Sequence, residues 1–327
     1  MSENNWTERT ILIAGCGSIG KRHARVLRSL GLRDIRVCDP SEEQIKSLTD
    51  EGFVSKTYTS YEEGLSAKPD AVLIATPPRL HIPMAIQSLE AGIHVLSEKP
   101  VSDSLEGLDK LAKTIESSGK TYMVALCFRY HEGLTKAKKY IELGRIGEVK
   151  SICCRMSESL PEARPDYKSL FTLKELGAYD LSHEIDLACW YANEPVTEIQ
   201  AMDGVYGGIG FTAPDLAQLN LCFGKKCIAS VYLNFFGTPR TRITELIGTR
   251  GTITVEFCSW DQCTVSVYET EKGNWEREVV ATERDHMFRT EDMEFLQAIT
   301  DNTKTLCPLE EGIKSLKIIC TAIADNK

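Results

Sequence analysis

The sequence has no long hydrophobic run, no excess of basic charge and no cysteine pair spaced C-x-x-C. No apolar stretch approaches the roughly 20 residues that a membrane-spanning helix needs. Met1–Arg9 is polar and the first apolar run is short, so no secretory leader is expected and the expected location is the cytoplasm. Acidic residues outnumber basic ones 47 to 38, a net charge of −9, so no general basic field invites nucleic acid. The longest basic cluster, Lys136–Lys139, reads as a solvated helix face. Internal repeats and low-complexity segments are also missing, which excludes solenoid arrays and long disordered linkers.

The 12 cysteines are scattered. Cys222/Cys227 and Cys258/Cys263 each leave a gap that invites a zinc reading. The intervening Phe223–Lys226 and Ser259–Gln262, however, both read as hairpin turns. The cysteines are therefore expected to flank turns as free thiols, and no metal is expected.

At 327 residues the chain suits about two domains. Strand-like runs at Thr10–Ala14, Asp34–Cys38, Phe53–Tyr58, Ala71–Ala75, His94–Ser97 and Thr121–Cys127 alternate with helical patterns. Those patterns lie near Lys21–Leu30, Glu42–Glu51, Ser60–Ser66, Leu80–Ala91 and Leu105–Ser118. Such alternation predicts a parallel sheet covered on both faces, with ligands outside the carboxyl ends of its strands. The first turn carries Gly15-x-Gly17-x-x-Gly20 between a strand and a helix. Gly15 allows the tight turn, Gly17 lets the backbone approach a pyrophosphate, and Gly20 lets the helix pack close. Asp39 follows 19 residues past Gly20, at the end of the next strand. A carboxylate there accepts both ribose hydroxyls and repels a 2′-phosphate, so NAD is favoured over NADP.

After residue 128 the pattern changes. A helix over Glu132–Leu143 and a strand over Glu148–Ser157 are expected, then a polar loop and a helix from near Lys174 to Tyr191. Strands and turns dominate Val196–Val280, with Gly248-Thr249-Arg250-Gly251 a hairpin signal, and two closing helices are expected at Glu291–Thr300 and Leu309–Ala324. The second sheet should be largely antiparallel, with an open apolar face that argues against a monomer. The predicted domains are residues 1–128 and 129–327, the final helix free to pack back on the first domain.

Three segments carry chemistry. Ala75-Thr76-Pro77-Pro78 stops a strand, either beside a cofactor or as a plain turn. Glu98-Lys99-Pro100 ends another strand; its lysine suits hydrogen bonding to a reacting oxygen, or is a surface residue. In Tyr179-Asp180-Leu181-Ser182-His183-Glu184-Ile185-Asp186, helical spacing puts His183 on a face with Tyr179 or Asp186. That arrangement suits a proton acceptor, or equally a helix start capped by Asp180 or Ser182 with a core histidine. Arg129, His131, Arg164, Asp166, Tyr167 and Lys168 offer hydrogen bonds to a polyhydroxylated ligand, or form solvated loops.

The ordered set GCGSIG, ATPP with His81, EKP, CFRYH, GRIGEV, DLSHEID and GTRG resembles the Gfo/Idh/MocA family of oxidoreductases, from Thr10 to about Asp325. LPEARPDY with DLSHEID is similar to a branch acting on bacterial surface sugars. The resemblance implies an α/β fold: an N-terminal Rossmann domain and a C-terminal α/β domain with a large, mostly antiparallel open sheet through which dimers or tetramers form. It implies hydride transfer between NAD and a ring-carbon hydroxyl of a sugar, sugar acid, amino sugar, nucleotide-linked sugar or cyclitol. Cofactor contacts would come from Gly15, Gly17, Ser18, Ile19, Gly20, Asp39, Thr76, Pro77, His81, Glu98 and Lys99. Lys99 and His183 would be catalytic, with Asp180 orienting the histidine. Arg129, His131, Arg164, Tyr167, Tyr179 and Asp186 would meet substrate. Many members carry an aspartate four residues before the histidine; this chain has Tyr179 there. A non-catalytic NAD-binding sensor is the alternative.

Overall fold

The computed structural model describes residues 6–164, 167, 176–259 and 261–325. The chain divides into two units, Met1–Cys127 with Phe288–Leu316, and Phe128–Met287 with Lys317–Lys327.

The first unit contains β1 (Thr10–Ala14), β2 (Asp34–Cys38), β3 (Lys56–Tyr58), β4 (Ala71–Ile74), β5 (His94–Glu98) and β6 (Tyr122–Ala125). Between them run α1 (Ser18–Ser29), α2 (Glu42–Thr49), α3 (Tyr61–Ser66), α4 (His81–Glu90) and α5 (Leu108–Ser118). The strand order is β3-β2-β1-β4-β5-β6 and every pair is parallel. This is the Rossmann arrangement, with its switch point between β1 and β4. β4 and β6 are buried at every position because helices cover both faces. Local sequence sets the helix starts: Ser41 accepts a hydrogen bond from the Gln44 amide and Ser60 from the Glu63 amide. In α1 the buried residues Gly20, His23, Ala24 and Leu27 recur at three- and four-residue steps, forming one face.

Two later helices, α9 (His286–Asp301) and α10 (Leu309–Asp325), bear on the domain division. Most of α9 and the first half of α10 belong with the first unit, whereas the sequence led us to expect only the final helix to return. The reason is specific packing. Asp292 of α9 holds His23 of α1, and the Val124 amide donates to the Cys307 carbonyl at 2.8 Å. At Gly312 of α10 an added Cβ would lie 2.5 Å from Val124 and 2.9 Å from Val101.

The second unit contains α6 (Glu132–Glu142), β7 (Val149–Ser159), α7 (Leu160–Ala163) and α8 (His183–Ala192). Then come β8 (Glu198–Gly204), β9 (Leu216–Phe223), β10 (Cys227–Asn234), β11 (Phe236–Gly248), β12 (Gly251–Phe257), β13 (Gln262–Glu269) and β14 (Asn274–Ala281). Their order is β14-β13-β12-β11-β7-β10-β9-β8, antiparallel throughout except where β10 runs parallel to β7. Cys227 and Cys263 sit opposite Phe223 and Phe257 beside their hairpin turns, and all 12 cysteines are free thiols. One register row, Ile228–Ser151–Ile247–Thr252–Tyr268–Trp275, crosses six strands. Its Ile228, Ile247 and Trp275 are exposed.

The expected helix from Lys174 to Tyr191 differs in form. Residues 168–175 lie outside the described residues, as does Asp166. From Gly177 to Asp180 the chain makes a 3-10 turn, and α8 starts only at His183. Gly177 has φ +53°, and a Cβ there would stand 2.1 Å from the Pro214 carbonyl oxygen, so a continuous helix is interrupted. Among the described residues, no helix is long and apolar enough to cross a membrane.

Gly312→Ala should cost about 1–3 kcal/mol in urea unfolding, because both valines it would strike are stiff at χ1. Unchanged stability would show that α10 does not approach β6 this closely.

Candidate active site

The first unit gathers one set of groups at the carboxyl edge of its sheet. At the exit of β1, Gly15 has φ +98°, and a Cβ there would meet the Ala75 carbonyl oxygen at 2.4 Å. A Cβ at Gly20 would lie 1.9 Å from the Gly15 carbonyl oxygen. Those two glycines are required by the protein itself. Gly17 is not: its φ of −69° suits any residue and nothing lies within 4 Å of where a Cβ would stand. The free space lies at the start of α1, where Gly17 is the N-cap, no side chain caps the helix and no acidic residue occupies the first turn. Unsatisfied amides and the helix dipole favour an anion there. Ser18 is exposed and Ile19 half-buried on that turn.

Asp39, at the exit of β2, accepts hydrogen bonds from the Cys16 amide at 2.7 Å and the Ser41 amide at 2.8 Å. Its carboxylate is thereby tied to the glycine turn. Burial, and then Asp39, push the Cys16 thiol up to about 12, so this cysteine is chemically inert. The residues present fit a dinucleotide: a cleared approach over Gly17, a helix N-terminus for the phosphates and a fixed carboxylate for the ribose.

Thr76-Pro77 leaves β4 and Glu98-Lys99 leaves β5 on the same edge. His81 joins these two exits. One ring nitrogen lies 2.7 Å from the Thr76 carbonyl oxygen and the other 2.8 Å from that of Pro100. It is 1% exposed and braces the two strand ends beside the expected cofactor edge.

Glu98 reaches inward. Its Oε1 meets His23 Nε2 at 3.0 Å, and its Oε2 accepts the Lys99 amide at 3.0 Å. Burial alone would raise the Glu98 carboxyl, but the His23 hydrogen bond and charge, with Lys99, hold it below its ordinary value. His23 Nδ1 lies 2.8 and 3.0 Å from the two oxygens of Asp292. Burial opposes charge on His23, yet the two carboxylates outweigh it and hold the imidazole well above its usual range. His23 and Asp292 went unnoticed in the sequence. The only local signal is that His23 falls three residues after Gly20, on the face of α1 that must be buried.

The second unit presents His183 at the first position of α8, half-buried, its ring centroid 4.5 Å from that of Phe128. The Arg242 guanidinium lies 3.7 Å from the same Phe128 centroid. Two buried ion pairs anchor the first turn of α8. Arg242 donates to Glu184 at 2.5 Å, and Arg129 grips Asp186 with two bonds of 3.0 and 2.7 Å. Asp180 is half-buried in the preceding 3-10 turn. Ser182 is the N-cap residue of α8, but its side chain makes no capping hydrogen bond.

Several residues expected to meet substrate have partners within the second unit. Arg129 and Asp186 are spent on each other, each side chain 1% exposed. His131 is buried; its Nδ1 accepts from the Gly133 amide at 3.2 Å and caps α6. Burial and then Arg242 push its imidazole down to about 4, so it stays neutral. The buried Tyr179 hydroxyl donates to Asp203 at 2.7 Å, and the buried Tyr167 hydroxyl donates to the Ile209 carbonyl at 2.7 Å. These polar atoms bind the unit to itself. Arg164 remains half-buried on its loop, and Lys168 lies outside the described residues.

A doubly wound nucleotide fold followed by an open-sheet unit defines a class of two-part oxidoreductases. The chain belongs to the Gfo/Idh/MocA family: the model "Oxidoreductase family, NAD-binding Rossmann fold" matches residues 9–126, and the GFO/IDH/MocA C-terminal domain matches residues 134–254. The uncharacterized oxidoreductase YrbE of Bacillus subtilis is 24% identical over 94% of this chain and 91% of its own length. Inositol 2-dehydrogenase of Salmonella paratyphi B is 26% identical over 68% of this chain and 66% of its own. The structure of scyllo-inositol dehydrogenase from Lactobacillus casei, solved with NAD(H) and scyllo-inositol, superposes with a TM-score of 0.82 over 98% of both chains. At 19% identity that likeness establishes the fold.

Gly17→Ala and Gly20→Ala should separate binding from folding. The first should leave stability within about 0.5 kcal/mol and weaken NADH at least about tenfold by titration, since a methyl group enters the phosphate approach. The second should cost more than about 2 kcal/mol of stability, because two backbones collide. Equal NADH affinity in Gly17→Ala and wild type would remove the phosphate role from this turn.

Proposed function

We propose that the protein is an NAD-dependent dehydrogenase of a ring-carbon hydroxyl on a small polyhydroxylated molecule, a cyclitol or sugar derivative. The observation that carries this reading is a shared edge. The open helix start at Gly17, the Asp39 carboxylate and Lys99 all leave the carboxyl ends of strands of one parallel sheet. Inositol dehydrogenases among the relatives support the substrate class.

When bound, the nicotinamide takes up or gives the hydride. The chain has to manage charge and one proton. Lys99, an ammonium at a strand end, stabilises negative charge developing on the substrate oxygen. His183 takes the hydroxyl proton in oxidation and returns it in reduction. Phe128 and the Glu184 and Asp186 ion pairs hold the segment that carries His183, while Asp180 precedes it as a candidate orienting carboxylate. Asp39 selects NAD by repelling a 2′-phosphate. Arg164 is retained as a candidate substrate contact. A second copy of the chain covering the row from Ile228 to Trp275 would give a dimer, or a tetramer of two such pairs.

The test is absorbance of reduced nicotinamide with purified protein, NAD or NADP, and separate panels of cyclitols, sugars, sugar acids and nucleotide-linked sugars. A rise with NAD and one class is expected. Lys99→Met and His183→Asn should each lower kcat by about 10²–10⁴-fold while NADH affinity stays within about threefold. Tight NADH binding with no turnover on any panel would favour the sensor reading instead.

A further inference from the structure

We propose that His23 is a positioning residue for Lys99: a buried imidazolium that fixes Glu98 and, through Glu98, the strand end bearing the lysine. The catalytic part of this inference rests on the assignment of Lys99 above.

The geometry runs in one unbroken line. Both oxygens of Asp292 on α9 face His23 Nδ1, and Glu98 Oε1 faces Nε2. An ionised carboxylate only accepts, so both contacts are satisfied only when both ring nitrogens carry protons. The other oxygen of Glu98 takes the backbone N–H of Lys99. Phe288 meets the ring edge-on, centroids 5.5 Å apart at 84°, which fixes the plane of the imidazole. The histidine is completely buried, so its orientation is not averaged by solvent.

A stabilising ion pair would need only His23 and Asp292. The Glu98 link also favours the charged imidazole, and it does what a simple pair does not: it connects the glycine-turn helix to the Lys99 backbone. Glu291 sits beside Asp292, fully buried, and neither of its carboxyl oxygens has a hydrogen-bond partner among the described residues. Burial and then Glu98 push its carboxyl well above the ordinary range, with Asp292 adding to the rise against the pull of His23. The imidazole therefore lies between two carboxylates: Glu98, held below its ordinary value, and Asp292, which burial raises against the pull of His23. His23, Glu291 and Asp292 have the spacing of a three-ligand metal site. An imidazolium has no lone pair to give a metal, so the two arrangements exclude each other.

Full-length protein labelled with ¹⁵N in histidine and lysine tests this directly by NMR. Near pH 7, protons are expected on both nitrogens of His23, together with slow solvent exchange of the Lys99 amide. His23→Gln, or Glu98→Gln should the first variant fail to fold, should speed that exchange at least about tenfold. Glu291→Gln should leave it within about twofold. With the substrate found in the panel, His23→Gln should lower kcat at least about tenfold with KM and NADH affinity within about threefold, and imidazole should restore turnover to His23→Ala. A neutral His23 ring, an unaltered Lys99 amide, or a stoichiometric divalent cation that Glu291→Gln removes would each overturn the proposal. If Lys99→Met retains full turnover while the amide result holds, the catalytic assignment of Lys99 fails and the positioning stands.

Discussion

The closest constraint in the first unit is the approach of α1 to the turn it follows. No β-carbon fits between Gly20 and the Gly15 carbonyl oxygen. That contact sets the height of the helix over the sheet, and three other features depend on it. The uncapped amides of Gly17 and its successors come to the carboxyl edge of β1. The Cys16 amide comes within reach of Asp39. One turn further on, His23 is placed where its ring can touch both Glu98 from β5 and Asp292 from α9. A helix standing even one ångström higher would break hydrogen bonds at the glycine turn and in the buried cluster together.

Much of this unit was legible in the sequence because its signals are local. β1 and β2 begin and end where the apolar runs do, since helices cover both faces and turn residues close each run. The glycine spacing, Asp39 and the proline-stopped strand ends were readable for the same reason: each is a requirement of backbone geometry or charge at a single position. Helix ends moved by a few residues, as at α5, which begins at Leu108 after the positive-φ Gly107 and not at Leu105.

Long-range pairing was not legible. A charged residue near a motif, such as Arg129 or Asp186, carries no mark of which way it points. Only the fold reveals that each is the other's partner. Tyr179, Tyr167 and His131 are alike in this: each has a polar atom with a backbone or side-chain partner that no spacing in the sequence announces. Asp292 and Glu291 lie more than 260 residues from His23, within a helix whose sequence reads as ordinary amphipathic pattern, so no spacing rule connects them. The return of α9 to the first unit was hidden for the same reason. Its anchor Asp292, and the anchors of the segment that follows, Cys307 and, in α10, Gly312, acquire meaning only beside His23, Val124 and Val101.

The buried ion pairs show where the protein accepts an electrostatic cost. Taking two charges out of water costs several kcal/mol per ion, and an apolar replacement of similar shape is often at least as stable. Stability alone therefore gives little reason to place Arg129 with Asp186, Arg242 with Glu184, or His23 between Glu98 and Asp292. Their locations give a better one. The first two pairs fix the opening turn of α8, where His183 stands. The third ends on the amide of Lys99. An apolar core holds a helix in place but tolerates small slides and rotations, because dispersion is non-directional. Directional, charge-assisted hydrogen bonds resist those motions. Each unit thus places a charged, oriented clamp within three residues of a proposed catalytic side chain, Lys99 in the first and His183 in the second, where a displacement of one ångström would be felt most strongly in rate.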